Sequence, residues 1–198
     1  MTDNEQSVSS VKRPPLWSPS TLIATVFGIG YIRPAPGTWG SLAGLLTAAL
    51  ALYLFPDGAP LESSIFIMIA VGIVASGHYA RAKGEHDASE IVIDEVAGQW
   101  IVLLPLSAFG IGVNSPMTVV IPVFIAAFLL FRFFDILKPW PISWADRKIG
   151  GGFGVMFDDI LAGLAAAGVL YAFLYWRAAC AAAPSIGCGV FSLFGVGT

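Results

Sequence analysis

The residues able to do chemistry in this 198-residue chain are carboxylates, and they are bunched. Glu85, Asp87, Glu90, Asp94 and Glu95 fall within eleven residues, directly before an apolar stretch. If that run is helical, Glu90 and Asp94 share a face at i,i+4, and Gln99 follows Glu95 by one turn. Like charges stacked this way destabilise a helix unless a cation lies between them, and beside a membrane they are poorly solvated. Such spacing suits a hard cation such as Mg²⁺, which takes few carboxylates and keeps water and phosphate oxygens as its other ligands. A solvated helix start favoured by the helix dipole explains one or two acids but not five.

Three further polar runs accompany it. In Arg132-Phe133-Phe134-Asp135-Ile136-Leu137-Lys138-Pro139, Asp135 and Lys138 stand one helical turn apart, and Pro139 ends the helix. They read either as an interfacial salt bridge or, for Lys138, as a point charge for a phosphate. Four glycines among residues 150–154 would let backbone amides approach an anion, though the Lys-Ser/Thr ending of a P-loop is missing. Asp158 and Asp159 follow, at the expected start of the last apolar segment. They can cap that helix or hold a metal, and adjacent helical positions would let only one face it. The fourth run, Gly28–Ser41, holds Arg33, Pro34, Pro36 and Gly37, with Thr38 expected to cap the next helix. Arg33 beside a helix N-terminus makes either an anion site or an interfacial anchor. His78 and His86 have no paired metal-ligand spacing. Cys180 and Cys188 lie in the tail, far from every charged run, either paired with each other or unpaired.

The elements that position these groups are membrane helices. Hydrophobic residues make up 57% of the chain and charged residues 12%, with mean hydropathy +0.80. Soluble domains carry about 25% charged residues. Five stretches are long and apolar enough to span: Thr38–Pro56, Ser63–Ala80, Val96–Val113, Met117–Phe134 and Ile160–Trp176. Pro105 and Pro122 predict kinks in the third and fourth. Thr21–Ile32 is too short to cross and is expected as an interfacial or re-entrant helix. The fold expected is all-α, a multi-pass bundle of about five spans. Residues 1–15 are read as a leader, 16–176 as one membrane domain and 177–198 as a tail.

Seven of the ten basic residues fall in the leader and in the connections at 81–95 and 135–159, and Arg33 and Arg132 stand beside spans at the same end; the positive-inside rule places this side in the cytoplasm. Eleven of the thirteen acidic residues lie on the same side, although carboxylates have little say in topology. Net charge is −3 and no basic run is present, which gives no footing for nucleic acid.

Taken together, GIGYIRPAPGTWGS (28–41), EIVIDEVAGQW (90–100), FRFFDILKPWPI (131–142) and GGGFGVMFDDILAG (150–163) resemble the phosphatidylglycerophosphatase A family, in the family's order. Phe157 stands where an aliphatic residue is expected. The resemblance implies a bacterial inner-membrane enzyme that converts phosphatidylglycerophosphate to phosphatidylglycerol with Mg²⁺, facing the cytoplasm, with a bilayer phospholipid as its partner. It implies Asp94, Asp135 and Asp159 as metal ligands, with Glu95 or Asp158 assisting or acting as base. Arg33 and Lys138 would hold the phosphate, with amides of the glycine run, Gly151 and Gly152 among them. Attack by water and attack by a carboxylate are both open.

Other lipid-phosphate chemistries lack their motifs: no D-x-D-x-[TV] nucleophile, no histidine phosphatase signature and no CDP-alcohol phosphotransferase run is present. The non-enzyme alternative is a small carrier or assembly protein, but charges on a transport path would lie mid-span. Here the span centres are uncharged and the polar residues collect at one surface.

Overall fold

The computed structural model describes residues 14–55, 59–85, 88–112 and 114–182. The leader up to residue 13, Asp57, His86, Asp87, and the tail from 183 with any pairing of Cys188 lie outside the described residues. The described chain is helical throughout: α1 (Pro19–Ala24), α2 (Pro36–Leu54), α3 (Ala59–Lys83), α4 (Ile93–Val102), α5 (Pro105–Ala108), α6 (Met117–Leu137), α7 (Ile142–Lys148) and α8 (Gly151–Ala182). A short 3-10 turn at Ile29–Tyr31 follows α1, so the N-terminal apolar stretch is indeed too short to span.

Four helices are long and apolar enough to cross a membrane: Pro36–Leu54, Glu62–Lys83, Met117–Leu137 and Gly151–Ala182. The expected third span, Val96–Val113, is instead divided between α4 and α5. Pro105 has no N–H to offer and its ring crowds the carbonyl of Ile101, so the ladder fails there. The amides of Leu103 and Leu104 turn back to the carbonyls of Trp100 and Ile101 at 3.1 Å each, tightening the last turn of α4. Pro122 does not interrupt α6.

Two helix starts also differ from expectation. α2 begins at Pro36, with Ala35 in the left-handed region (φ 57°) as its N-cap, so Thr38 lies inside the first turn. Proline suits the first helical position, where its amide would have no partner anyway. α8 begins at Gly151 (φ 71°), a full two turns before Asp158 and Asp159. Those acids therefore sit inside the helix and do not cap it.

Small residues set the packing. α8 is central, with half of its apolar window buried against 17% for α6. Gly98 on α4 meets Gly163 on α8 so closely that a Cβ at Gly163 would lie 2.7 Å from the Gly98 carbonyl oxygen. Gly40 and Gly44 of α2 approach Val92 and Val96 in the same way. Apolar side chains gain little from meeting each other when the solvent is lipid, so close backbone approach supplies the van der Waals contact that holds such helices together. The aromatic ring of Phe131 is fully buried against Gly98.

Candidate active site

The bundle gathers the acidic runs at one end. Asp94 and Glu95 lie in the first turn of α4, Asp135 in the last turn of α6, and Asp158 and Asp159 on α8. With Arg132, Lys138 and Asp146 they line a cleft of about 310 Å³. Six carboxylates face two cations around it.

Asp94, Glu95 and Asp159 form its floor. One oxygen from each lies within 4.8 Å of the others, and Asp94 and Asp159 are 8% and 4% exposed. Asp94 Oδ1 accepts the backbone N–H of Glu95 at 3.0 Å. Glu95 Oε2 is buried with no hydrogen-bond partner. Gly37, at the start of α2, lies against Glu95 Oε1, where a side chain would collide with the carboxylate. Gln99 is fully buried one turn beyond Glu95, beside Gly44, with neither amide atom hydrogen-bonded.

The other carboxylates are tied to cations. Arg132 pairs with Asp135 one turn along α6 and donates to Ser41 Oγ at 3.3 Å. Lys138 terminates α6 in the left-handed region and so turns its side chain back over the cleft (φ 42°). Its Nζ reaches Asp146 Oδ1 and Asp158 Oδ2, both at 2.6 Å. Burial works against the Lys138 ammonium, but its hydrogen bonds to Asp146 and Asp158 outweigh burial and raise its pKa above the ordinary lysine value. The second oxygen of Asp158 is buried without a partner. The adjacent acids thus face different ways, as their helical spacing requires: Asp159 to the carboxylate group, Asp158 to Lys138.

Other expected residues stand apart. Glu90 does not share a helix face with Asp94, because α4 starts only at Ile93. It turns to Lys83 at 2.5 Å, and burial alone would raise its pKa, but that hydrogen bond and the charge of Arg33 lower it. Arg33 is 62% exposed at the rim, 3.6 Å from Glu90 and 3.3 Å from Ser89 Oγ, and Ser89 borders the cleft. Gly151 and Gly152 are not on the cleft wall, whereas Gly154 is. Gly152 is pressed onto α3, against the Ile73 carbonyl and the backbone of Gly77, so it serves helix packing. Arg132 and Gly37 are cleft residues that the sequence reading treated only as a topological charge and a turn. The i,i+3 spacing of Arg132 and Asp135 was the signal available for the former.

The group of three carboxylates fits a hard divalent cation. All donors are oxygens, one is orphaned, and the surrounding charge is strongly negative.

The family model Phosphatidylglycerophosphatase A matches residues 22–174. The chain is 40% identical over 181 residues to the phosphatidylglycerophosphatase A of Haemophilus influenzae, covering 89% of this chain and 99% of that one. It is 39% identical over 154 residues to the Escherichia coli protein of the same name, covering 78% and 83%. A Bacteroides thetaiotaomicron protein whose name assigns it provisionally as a phosphatidylinositol-3-phosphatase is 37% identical over 146 residues, covering 72% and 86%. No solved structure matches. With its acidic cleft at one end of a helical membrane bundle and a match spanning nearly all of that bundle, the chain belongs to the phosphatidylglycerophosphatase A family, the lipid phosphatases of phosphatidylglycerol synthesis.

Proposed function

We propose that the cleft hydrolyses the terminal phosphate of phosphatidylglycerophosphate with Mg²⁺ held by Asp94, Glu95 and Asp159, at the cytoplasmic face of the bacterial inner membrane. One observation carries the metal requirement: six carboxylates and two cations surround a cleft that must admit a phosphate monoester, itself a dianion. Without further positive charge the substrate would be repelled. Glu95 is favoured over Asp135 as the third ligand because Asp135 is already engaged by Arg132. The cytoplasmic orientation rests on the basic residues, nine of ten of which lie at this end or in the leader.

Bound magnesium would supply charge neutralisation on the phosphoryl oxygens and acidify a water molecule. The side chains do the rest. Lys138 and Arg132, each oriented by carboxylates, hold the phosphoryl oxygens in place. Asp158, with one oxygen fixed by Lys138 and the other unpartnered, accepts the proton of the attacking water. Water adds to phosphorus as the ester P–O bond breaks, and the glycerol oxygen leaves as a hydroxyl, taking a proton from water at the open mouth. Arg33, at the rim, meets the headgroup as it enters.

Paramagnetic Mn²⁺ reports on the site without turnover. Titrated into purified protein in detergent, it should bind the wild type and bind Glu95→Gln or Asp159→Asn at least about tenfold more weakly, as the loss of one charged ligand predicts. Unchanged Mn²⁺ binding in both variants would remove the metal from this cluster.

A further inference from the structure

A second cavity lies between α2 and α6, about 340 Å³ in volume and almost wholly apolar. Leu45, Ala49 and Tyr53 form its α2 wall, with Val120 and Phe124 on α6 opposite. The two helices that line it, α2 and α6, also line the acidic cleft. On α2, Gly37, Ser41, Leu45 and Ala49 succeed one another at i,i+4, a row that winds slowly round the helix from the glycine that abuts Glu95 to the groove wall. On α6, Arg132, Phe128, Phe124 and Val120 do the same. The Arg132–Ser41 hydrogen bond ties α6 to α2 at the cleft end of this interface.

Depth fits a lipid tail. At 1.5 Å per residue, Leu45 and Ala49 stand about 12 and 18 Å along α2 from Gly37, and Phe124 about 12 Å along α6 from Arg132. Half the hydrocarbon thickness of a bilayer is about 15 Å. A lipid with its phosphate in the cleft therefore has its acyl chains, and not its headgroup, at the level of this groove. Any membrane lipid can cover an apolar groove. What singles out the substrate is that cleft and groove are both lined by α2 and α6, one beyond the other along the interface of the same two helices. We infer that the α2–α6 groove binds an acyl chain of the very lipid whose phosphate is hydrolysed in the cleft, an inference that rests on the lipid phosphatase activity.

The test compares phosphatidylglycerophosphate with dihexanoyl chains, too short to reach the groove, and with dipalmitoyl chains, in mixed micelles at fixed mole fraction. Ala49→Trp on one wall and Val120→Trp on the other fill the groove. Each should raise KM for the dipalmitoyl lipid about tenfold, the equivalent of roughly two methylene groups losing their contacts. The dihexanoyl KM and both kcat values should stay within about twofold, which also shows that the variants fold. Leu50→Trp, on the exposed outer side of α2 and away from the groove, should leave both lipids unaffected. An equal change for both lipids, or none for either, overturns the acyl-chain site. Failure of the wild type to hydrolyse the dipalmitoyl lipid would instead count against the phosphatase reading itself.

Discussion

Asp94→Asn and Asp159→Asn should each lower phosphate release from phosphatidylglycerophosphate by about a thousandfold, the scale expected when a charged group that organises phosphoryl transfer is lost. Asparagine keeps the shape of the side chain and removes its charge. Both positions are buried among other carboxylates, so neither charge is there for stability. In chelator the two variants should therefore melt at a higher temperature than the wild type, because a repelling buried charge has gone. Active sites commonly hold such destabilising arrangements, and relieving them trades activity for stability. Circular dichroism melts in detergent beside the activity assay make the check. Loss of activity together with a lower melting temperature would mean that the carboxylates serve the fold, and the assignment would fall.

Gly152→Ala should have a large structural effect for a single added methyl group. Its Cβ would meet the Ile73 carbonyl and lie 2.6 Å from the Gly77 nitrogen and 2.9 Å from the Gly77 Cα, all of it backbone that no rotamer change can move. α3 and α8 must separate to admit it, and overpacking of this kind costs roughly 1–3 kcal/mol. Separation also shifts Asp158 and Asp159, two turns along the same helix, so turnover falls with stability. Gly151→Ala is a sharp contrast. Nothing lies within 4 Å of its added Cβ, and only the left-handed backbone (φ 71°) is penalised, by about 1–2 kcal/mol. If the glycine run instead cradled phosphate through its amides, both substitutions would raise KM with little loss of stability. A melting temperature for Gly152→Ala equal to that of the wild type would contradict the packing role.

Much of this was legible in the sequence for identifiable reasons. Apolar length and the one-sided distribution of Lys and Arg gave the helical membrane bundle, because bilayer thickness and topology act directly on composition. The gathering of Asp94 and Asp159 was legible too, since acids collected at one membrane face have no topological cause, and the structure brings both into one cleft. Asp158 was separated from Asp159 by the 100° step between neighbours on a helix. What escaped was anything decided between helices. Glu90 looked like a partner for Asp94 until Lys83, from another helix, drew it away. Asp135, expected as a ligand, pairs with Arg132 on its own helix, a contact that the i,i+3 spacing already offered. The glycines at 151 and 152 suggested an anion loop, whereas contact with α3 explains the second of them. The break in the third apolar stretch was signalled by Pro105, though a proline at that point does not itself say whether a helix kinks or stops.

The most direct measurement is phosphate release from phosphatidylglycerophosphate by purified protein, first in chelator and then after Mg²⁺ is restored. A cleft with six carboxylates and two cations predicts negligible release in chelator and full recovery with Mg²⁺, while Asp159→Asn stays inactive in both. Full release in chelator would contradict a metal-dependent carboxylate site.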